Sequence, residues 1–174
     1  DASGNNTDAD DEQDTILNFK TAEGSKLADI LIAGDTGNTL YGNAGDDTLI
    51  SGLSADYLDG GDGENLFILG LNTASGIDTV IGGNDIDTAD YSSITDSLKN
   101  IVVDLAGSST KTVTIAGVNN ATVKSIENVI GGAGNDNITG DDEANVLEGR
   151  EGNDYLDGEA GKDTLYGGAG NDNI

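Results

Sequence analysis

Aspartates and asparagines recur in this chain at a fixed interval, and glycines stand beside them. Asp29, Asn38, Asp47, Asp56 and Asn65 follow one another in steps of nine, and Glu127, Asp136, Asn145, Asp154, Asp163 and Asp172 do the same further on. Ahead of them gather Gly42, Gly45, Gly60, Gly61, Gly63, Gly131, Gly132, Gly134, Gly149, Gly152, Gly158, Gly161, Gly167, Gly168 and Gly170. The cleanest unit reads Gly131-Gly132-Ala133-Gly134-Asn135-Asp136-Asn137-Ile138-Thr139. Carboxylates and backbone carbonyls are hard oxygen donors. Calcium takes about six to eight of them in adaptable geometry, whereas magnesium demands an octahedron and keeps its waters. A short side chain suits a ligand anchored at a turn, and Asp outnumbers Glu by 25 to 8. The chemistry these residues support is capture of a divalent cation, calcium before magnesium.

Something must hold the turns in register. Two residues after each acid or amide sits an apolar residue: Leu31, Leu40, Leu49, Leu58 and Phe67, then Val129, Ile138, Leu147, Leu156, Leu165 and Ile174. Nine residues suit six of turn followed by three of strand, with the middle strand residue facing inward. If two units make one coil of about 18 residues, alternate units stack on the same side. Asp136, Asp154 and Asp172 then form one ladder, with Asn145 and Asp163 opposite. In the first block Asp29, Asp47 and Asn65 form one side, and Asn38 and Asp56 the other. An ion between stacked turns is shared by two acids, and Asp154 lies between two such positions.

The register breaks between the blocks. Val80 and Ala89 are nine apart but shifted by four, which makes Asp78 and Asp87 the acids of two degenerate units. Residues 91–128 lack the nine-residue signal and read as short strands at 100–105, 111–115 and 121–126, with turns at 107–109 and 117–120. Residues 93–99 allow one helical turn, and 14–19 a strand. Residues 1–13 read as a loose polar segment, and Asp8, Asp10, Asp11 and Glu12 within it as a solvated acidic run. The division is an N-terminal segment 1–23, a first repeat block 24–90, a strand-rich insert 91–126 and a second block 127–174.

Composition removes other functions. His and Cys are absent, so the usual zinc sites, disulfides and His-based nucleophile arrays are excluded. A formal net charge of −26 opposes nucleic acid and anionic membrane as partners. No apolar run is long enough to span a bilayer. Acids abound, but no pair is marked out for glycoside chemistry. High charge with few apolar residues favours disorder, unless cations neutralise the acids.

The repeats resemble the RTX (repeats-in-toxin) calcium-binding nonapeptide family of type I-secreted bacterial proteins. The resemblance is carried by residues 24–68 and 127–174, and by Asp87-Thr88-Ala89-Asp90-Tyr91-Ser92, Val102-Val103-Asp104-Leu105-Ala106-Gly107 and Ser125-Ile126-Glu127-Asn128-Val129-Ile130-Gly131 in the middle. It implies an all-β parallel β-roll, calcium in the turns, export by type I secretion machinery and folding outside the cell. The expected module is non-catalytic and secreted or displayed at a bacterial surface. It binds roughly six calcium ions, folds on binding them, and serves as a rigid spacer or scaffold of a larger protein. Two alternatives stand beside it: a self-associating surface-layer or adhesin module, and an accessory part of a secreted hydrolase whose catalytic domain lies elsewhere. Asp136, Asp154, Asp163 and Asp172 are the first-choice ligands, then Asp47.

Overall fold

The computed structural model describes residues 5–7, 15–17, 19–72, 76–105 and 110–174. The acids Asp8, Asp10, Asp11 and Glu12 and the turn expected at 107–109 lie outside them. The strands are β1 (Asn5–Thr7), β2 (Thr15–Leu17), β3 (Thr21–Glu23), β4 (Ile30–Ile32), β5 (Thr39–Ala44), β6 (Thr48–Ile50), β7 (Tyr57–Asp62), β8 (Leu66–Ile68), β9 (Asp78–Gly83) and β10 (Thr88–Asp90). They continue as β11 (Ile101–Asp104), β12 (Lys111–Ile115), β13 (Val118–Lys124), β14 (Asn128–Ile130), β15 (Asn137–Thr139), β16 (Val146–Glu151), β17 (Tyr155–Asp157) and β18 (Thr164–Ala169).

Successive strands of the repeat alternate between two parallel sheets. One runs β1-β3-β5-β7-β9-β13-β12-β11-β15-β17, the other β18-β16-β14-β10-β8-β6-β4-β2. This is a parallel β-roll. A three-residue strand shows why nine residues suffice for half a coil. In β6, Leu49 is fully buried while Thr48 and Ile50 are half-buried. Leu31 pairs with Leu49, and Leu49 with Phe67. On the other wall Ala22 pairs with Leu40, and Leu40 with Leu58. Each fully buried Leu contributes roughly 2 kcal/mol of transfer free energy, and the two columns form one continuous core. The coil is therefore 18 residues long. Ala22 begins the series one unit before the apolar pattern becomes visible.

The four-residue register shift is absorbed between β8 and β9, where Leu58 pairs with Val80. The insert lies within the first sheet. After β10 the chain runs past the next two positions in the first sheet and enters at β11, which pairs in parallel with β15. It returns through β12, antiparallel to both neighbours, and β13, parallel to β9. The three expected strands are present. The turn between β12 and β13 is tighter than the sequence indicates, because Ala116 (φ 51) and Gly117 (φ 76) make a two-residue reversal of the type that matches strand twist. Val118, Asn119 and Asn120 are thereby freed to join β13.

Residues 93–99 form no helix. The buried side chain of Ile94 anchors them, and Asp96 closes a single turn by accepting the Leu98 N–H at 3.0 Å. At the other end, the expected loose segment contains β1, which pairs with β3.

Candidate metal centre

The repeat acids stack into ladders along the two edges of the roll, and each ladder bond has the same form. The Asp29 N–H donates to Asp47 Oδ1 at 2.8 Å, Asp47 N–H to Asn65 Oδ1 at 3.0 Å, and Asn65 N–H to Asp87 Oδ1 at 2.8 Å. The Asp87 N–H donates to Glu127 Oε2 at 2.8 Å, and Asn145 N–H to Asp163 Oδ1 at 3.0 Å. On the second edge Asn38 N–H reaches Asp56 Oδ1 and Asp56 N–H reaches Asp78 Oδ1, at 2.7 and 2.9 Å. Beyond the insert, Asp136 N–H reaches Asp154 Oδ1 and Asp154 N–H reaches Asp172 Oδ1, at 2.7 and 3.0 Å. One oxygen of each ladder carboxylate is thus committed to the fold. The second oxygen decides what the turn can do.

The turns fall into two kinds. In turns 24–29, 33–38, 51–56, 131–136 and 140–145 the second residue closes on the ladder side chain. Ser25, Gly34, Gly52, Gly132 and Asp141 donate their N–H groups to Asp29 Oδ2, Asn38 Oδ1, Asp56 Oδ2, Asp136 Oδ2 and Asn145 Oδ1, at 2.6–3.1 Å. In turns 42–47, 60–65, 149–154, 158–163 and 167–172 the second and fourth residues have positive φ, as at Gly61 (94°) and Gly63 (111°). That backbone turns the second N–H away from the carboxylate, and glycine enters it without a Cβ penalty. Turn 82–87 opens likewise through Gly83 (φ 149).

Open turns leave carboxylate oxygens without partners. Asp47, Asp87 and Asp154 each keep a buried Oδ2 with no hydrogen bond, and so does Asp78 at the start of β9. Burial lifts the Asp47 and Asp87 carboxyls to about 7, and the Asp78 and Asp136 carboxyls to about 6, against the N–H donors that favour ionisation. The Asn72 amide lies close enough to Asp78 to favour its charged form without closing on Oδ2. Burial also raises Asp56, Asp154 and Glu127. An ionised oxygen buried without a partner is costly. Asparagine shows the uncharged alternative: Asn65 and Asn145 donate their own amide N–H to the Gly63 and Glu127 carbonyls, at 3.0 and 2.8 Å.

The first glycine of each open turn marks the space these oxygens face. A Cβ on Gly42 would overlap Asp47 Oδ2 and the Gly60 carbonyl oxygen. On Gly149 it would overlap Asp154 Oδ2 and lie 2.7 Å from the Gly167 carbonyl oxygen. On Gly158 and Gly167 it would crowd the carboxylates of Asp163 and Asp172. Among the described residues no three acidic side chains converge in one cluster. A cation here would draw one or two carboxylates and fill its shell with carbonyls from two stacked turns. An all-oxygen, partly backbone donor set fits calcium.

Asp136, the acid of the best-matching unit, lies in a closed turn. Its Oδ1 accepts the Ile101 N–H at 2.8 Å, so the insert packs on one side of this turn while turn 149–154 stacks on the other. Gly131, Gly132 and Gly134 belong to that turn, and Gly134 abuts the Lys99 carbonyl. Gly45, Gly63, Gly152, Gly161 and Gly170 take the positive-φ fourth position, and Gly61 and Gly168 the second. Asp29 and Asp56 are ladder members of closed turns. An outer asparagine ladder escaped sequence reading: Asn135, Asn153 and Asn171 N–H groups donate to Asn100, Asn135 and Asn153 Oδ1 at 2.7–3.0 Å. Its visible signal is the repeated Asn before Asp at 135, 153 and 171.

Two facing parallel sheets joined by stacked glycine–aspartate turns define a calcium-binding β-roll, a structural and not a catalytic class. The family model of the RTX calcium-binding nonapeptide repeat, in four copies, matches residues 24–67, 125–155 and 139–174, together more than half of the sequence. The chain belongs to that family. A search of curated proteins finds no match.

Proposed function

We propose that this chain is a conditional structural module, compact when calcium fills its open turns and expanded when it does not. The buried, unpartnered oxygens of Asp47, Asp87 and Asp154 carry this reading. They are acceptors with no donor, in a chain of charge −26. Residues 42–47, 60–65 and 82–87 on one edge, and 149–154 and 167–172 on the other, are the stacked open turns that would hold the ions. Asp47, Asp87, Asp154 and Asp172 supply carboxylates there, with Asp163 in the remaining open turn. The ion supplies positive charge, and the folded turns supply the oxygen frame.

Each site filled at ten times its dissociation constant stabilises the fold by about 1.4 kcal/mol. Several sites together match the stability of an ordinary domain, about 5–15 kcal/mol. Extracellular modules bind calcium with dissociation constants of roughly 10⁻⁴–10⁻³ M. Such a chain stays open where calcium is scarce and folds where it is abundant. Export by a type I secretion route in the open form, followed by folding outside as a stiff spacer or scaffold of a larger protein, is the role that fits. Calcium titration of the chelated chain, followed by far-UV circular dichroism, tests it. The strand signal should rise with calcium, and a full strand signal at neutral pH in excess chelator overturns the reading.

A further inference from the structure

The edge that carries turns 42–47, 60–65 and 82–87 does not end at the last of them. What stacks next is not a repeat turn but residues 124–127, arriving from β13. The contact is close: Glu127 Oε2 accepts the Asp87 N–H at 2.8 Å, and the Asn128 and Glu127 N–H groups lie 2.9 and 3.2 Å from the Asp87 carbonyl oxygen. Asp87 is fully buried, and its Oδ2 has no partner. Ser125 takes a left-handed conformation (φ 51), unusual for a residue with a side chain. Its carbonyl oxygen and Asp87 Oδ2 face the same small space, because a Cβ on Gly82 would overlap both.

The arrangement repeats that of the turn beneath. A Cβ on Gly60 would meet the Gly82 carbonyl oxygen and the side chain of Asn65. Ser125 therefore stands where the next glycine carbonyl would stand, and Glu127 where the next ladder Asp would. Neither residue has the repeat's type at its place. A carbonyl ligand needs only the backbone angle, which Ser125 adopts. The longer Glu side chain still reaches the Asp87 N–H. Beside the junction opens a cavity of about 350 Å³ whose lining includes Lys124, Ser125, Glu127, Asp141 and Glu143. Three of these are acids, which gives a cation a path from solvent.

We propose that Asp87, the Ser125 carbonyl and Glu127 hold a calcium ion that joins the last coil before the insert to the strand that leaves it. The proposal rests on the calcium reading above and extends it to a junction with no glycine-rich turn on its upper side. Such an ion couples the two repeat blocks, because Glu127 is followed directly by β14.

The test is the number and affinity of calcium ions bound by the whole chain, measured by equilibrium dialysis and calorimetry with calcium alone. Glu127→Gln keeps the acceptor for the Asp87 N–H and removes the charge. Glu127→Asp keeps the charge and withdraws it by one methylene. Relative to the unaltered chain, Glu127→Gln should lose one ion while its strand signal in saturating calcium persists. Glu127→Asp should keep that ion with at least tenfold weaker affinity. Unchanged count and affinity in both variants overturns the junction site and leaves the calcium reading intact. If Glu127→Gln fails to form strands in calcium, Glu127→Asp decides: unweakened binding overturns the site. An unaltered chain that binds no calcium at millimolar concentration overturns the calcium reading itself.

Discussion

Acid should substitute for calcium. In the metal-free fold at pH 7.5 the carboxyls of Asp47, Asp78, Asp87 and Asp136 are largely ionised in surroundings that disfavour charge. Burial holds Asp47 and Asp87 at about 7 and Asp78 and Asp136 at about 6, against an ordinary 3.8. Folded values above unfolded ones mean that the fold binds protons the open chain releases. The stabilisation is complete below pH 4 and is lost as pH rises through 6 and then 7. Between pH 4 and 6 all four groups contribute. One pKa unit is worth 1.36 kcal/mol, so the metal-free fold gains at most about 5 kcal/mol per pH unit on acidification. Half of that over two units still reaches about 5 kcal/mol, the lower range of an ordinary domain. The assay is urea unfolding in excess chelator at pH 7.5, 6.5, 5.5 and 5.0, followed by far-UV circular dichroism. Strand content and urea midpoint should climb as pH falls. A midpoint that is flat, or that rises with pH, refutes the reasoning. Calcium affinity should move oppositely, weakening below pH 7 as protons compete for the same oxygens.

Other perturbations follow from individual contacts. Gly63→Ala places a Cβ on a residue at φ 111 and against the Gly45 carbonyl. It should cost at least about 2 kcal/mol in calcium, read as a lowered urea midpoint. Tyr91→Phe removes a hydroxyl that is fully buried, unpartnered and raised in pKa by its burial and by Asp78. The variant should match or exceed the parent in stability, by up to about 2 kcal/mol; a clear loss shows that the hydroxyl has a role. Asn153→Ala removes the acceptor of the Asn171 N–H and should cost about 1 kcal/mol, with the faster hydrogen exchange confined to the last coil. Leu58→Ala empties a fully buried place in the core column and should cost about 2–5 kcal/mol.

Much of the architecture was legible because burial imposes a strict period. Leu31, Leu49 and Phe67 must share one wall if each middle strand residue faces inward, and they do. The shift at Val80 was equally visible, since four extra residues displace every later apolar position. Ala22 was hidden because a small side chain at the end of the column carries little hydropathy. The order β13-β12-β11 was hidden for another reason. Short strands with similar patterns pair equally well in several arrangements, and only the competition for one sheet position selects among them. The division into open and closed turns was the least legible feature. Gly131-Gly132-Ala133-Gly134 matches the repeat better than Gly149-Arg150-Glu151-Gly152, yet the first is closed and the second open. The neighbour on the side of the insert differs: residues 99–101 lie against the first, while Gly134 of a repeat turn lies against the second.

The strands lie across the stack, and each coil is bonded to the ones before and after it. Tension applied between the two ends would therefore load one rung at a time and peel the roll open from an end, not shear many rungs together. A regular coil of 18 residues releases up to about 60 Å of slack when it yields. The step across the insert spans 40 residues and releases more than twice that length. Pulled, the protein would behave as a ratcheted cable with one long stroke near its middle. The bound cations would set the force at which each tooth slips.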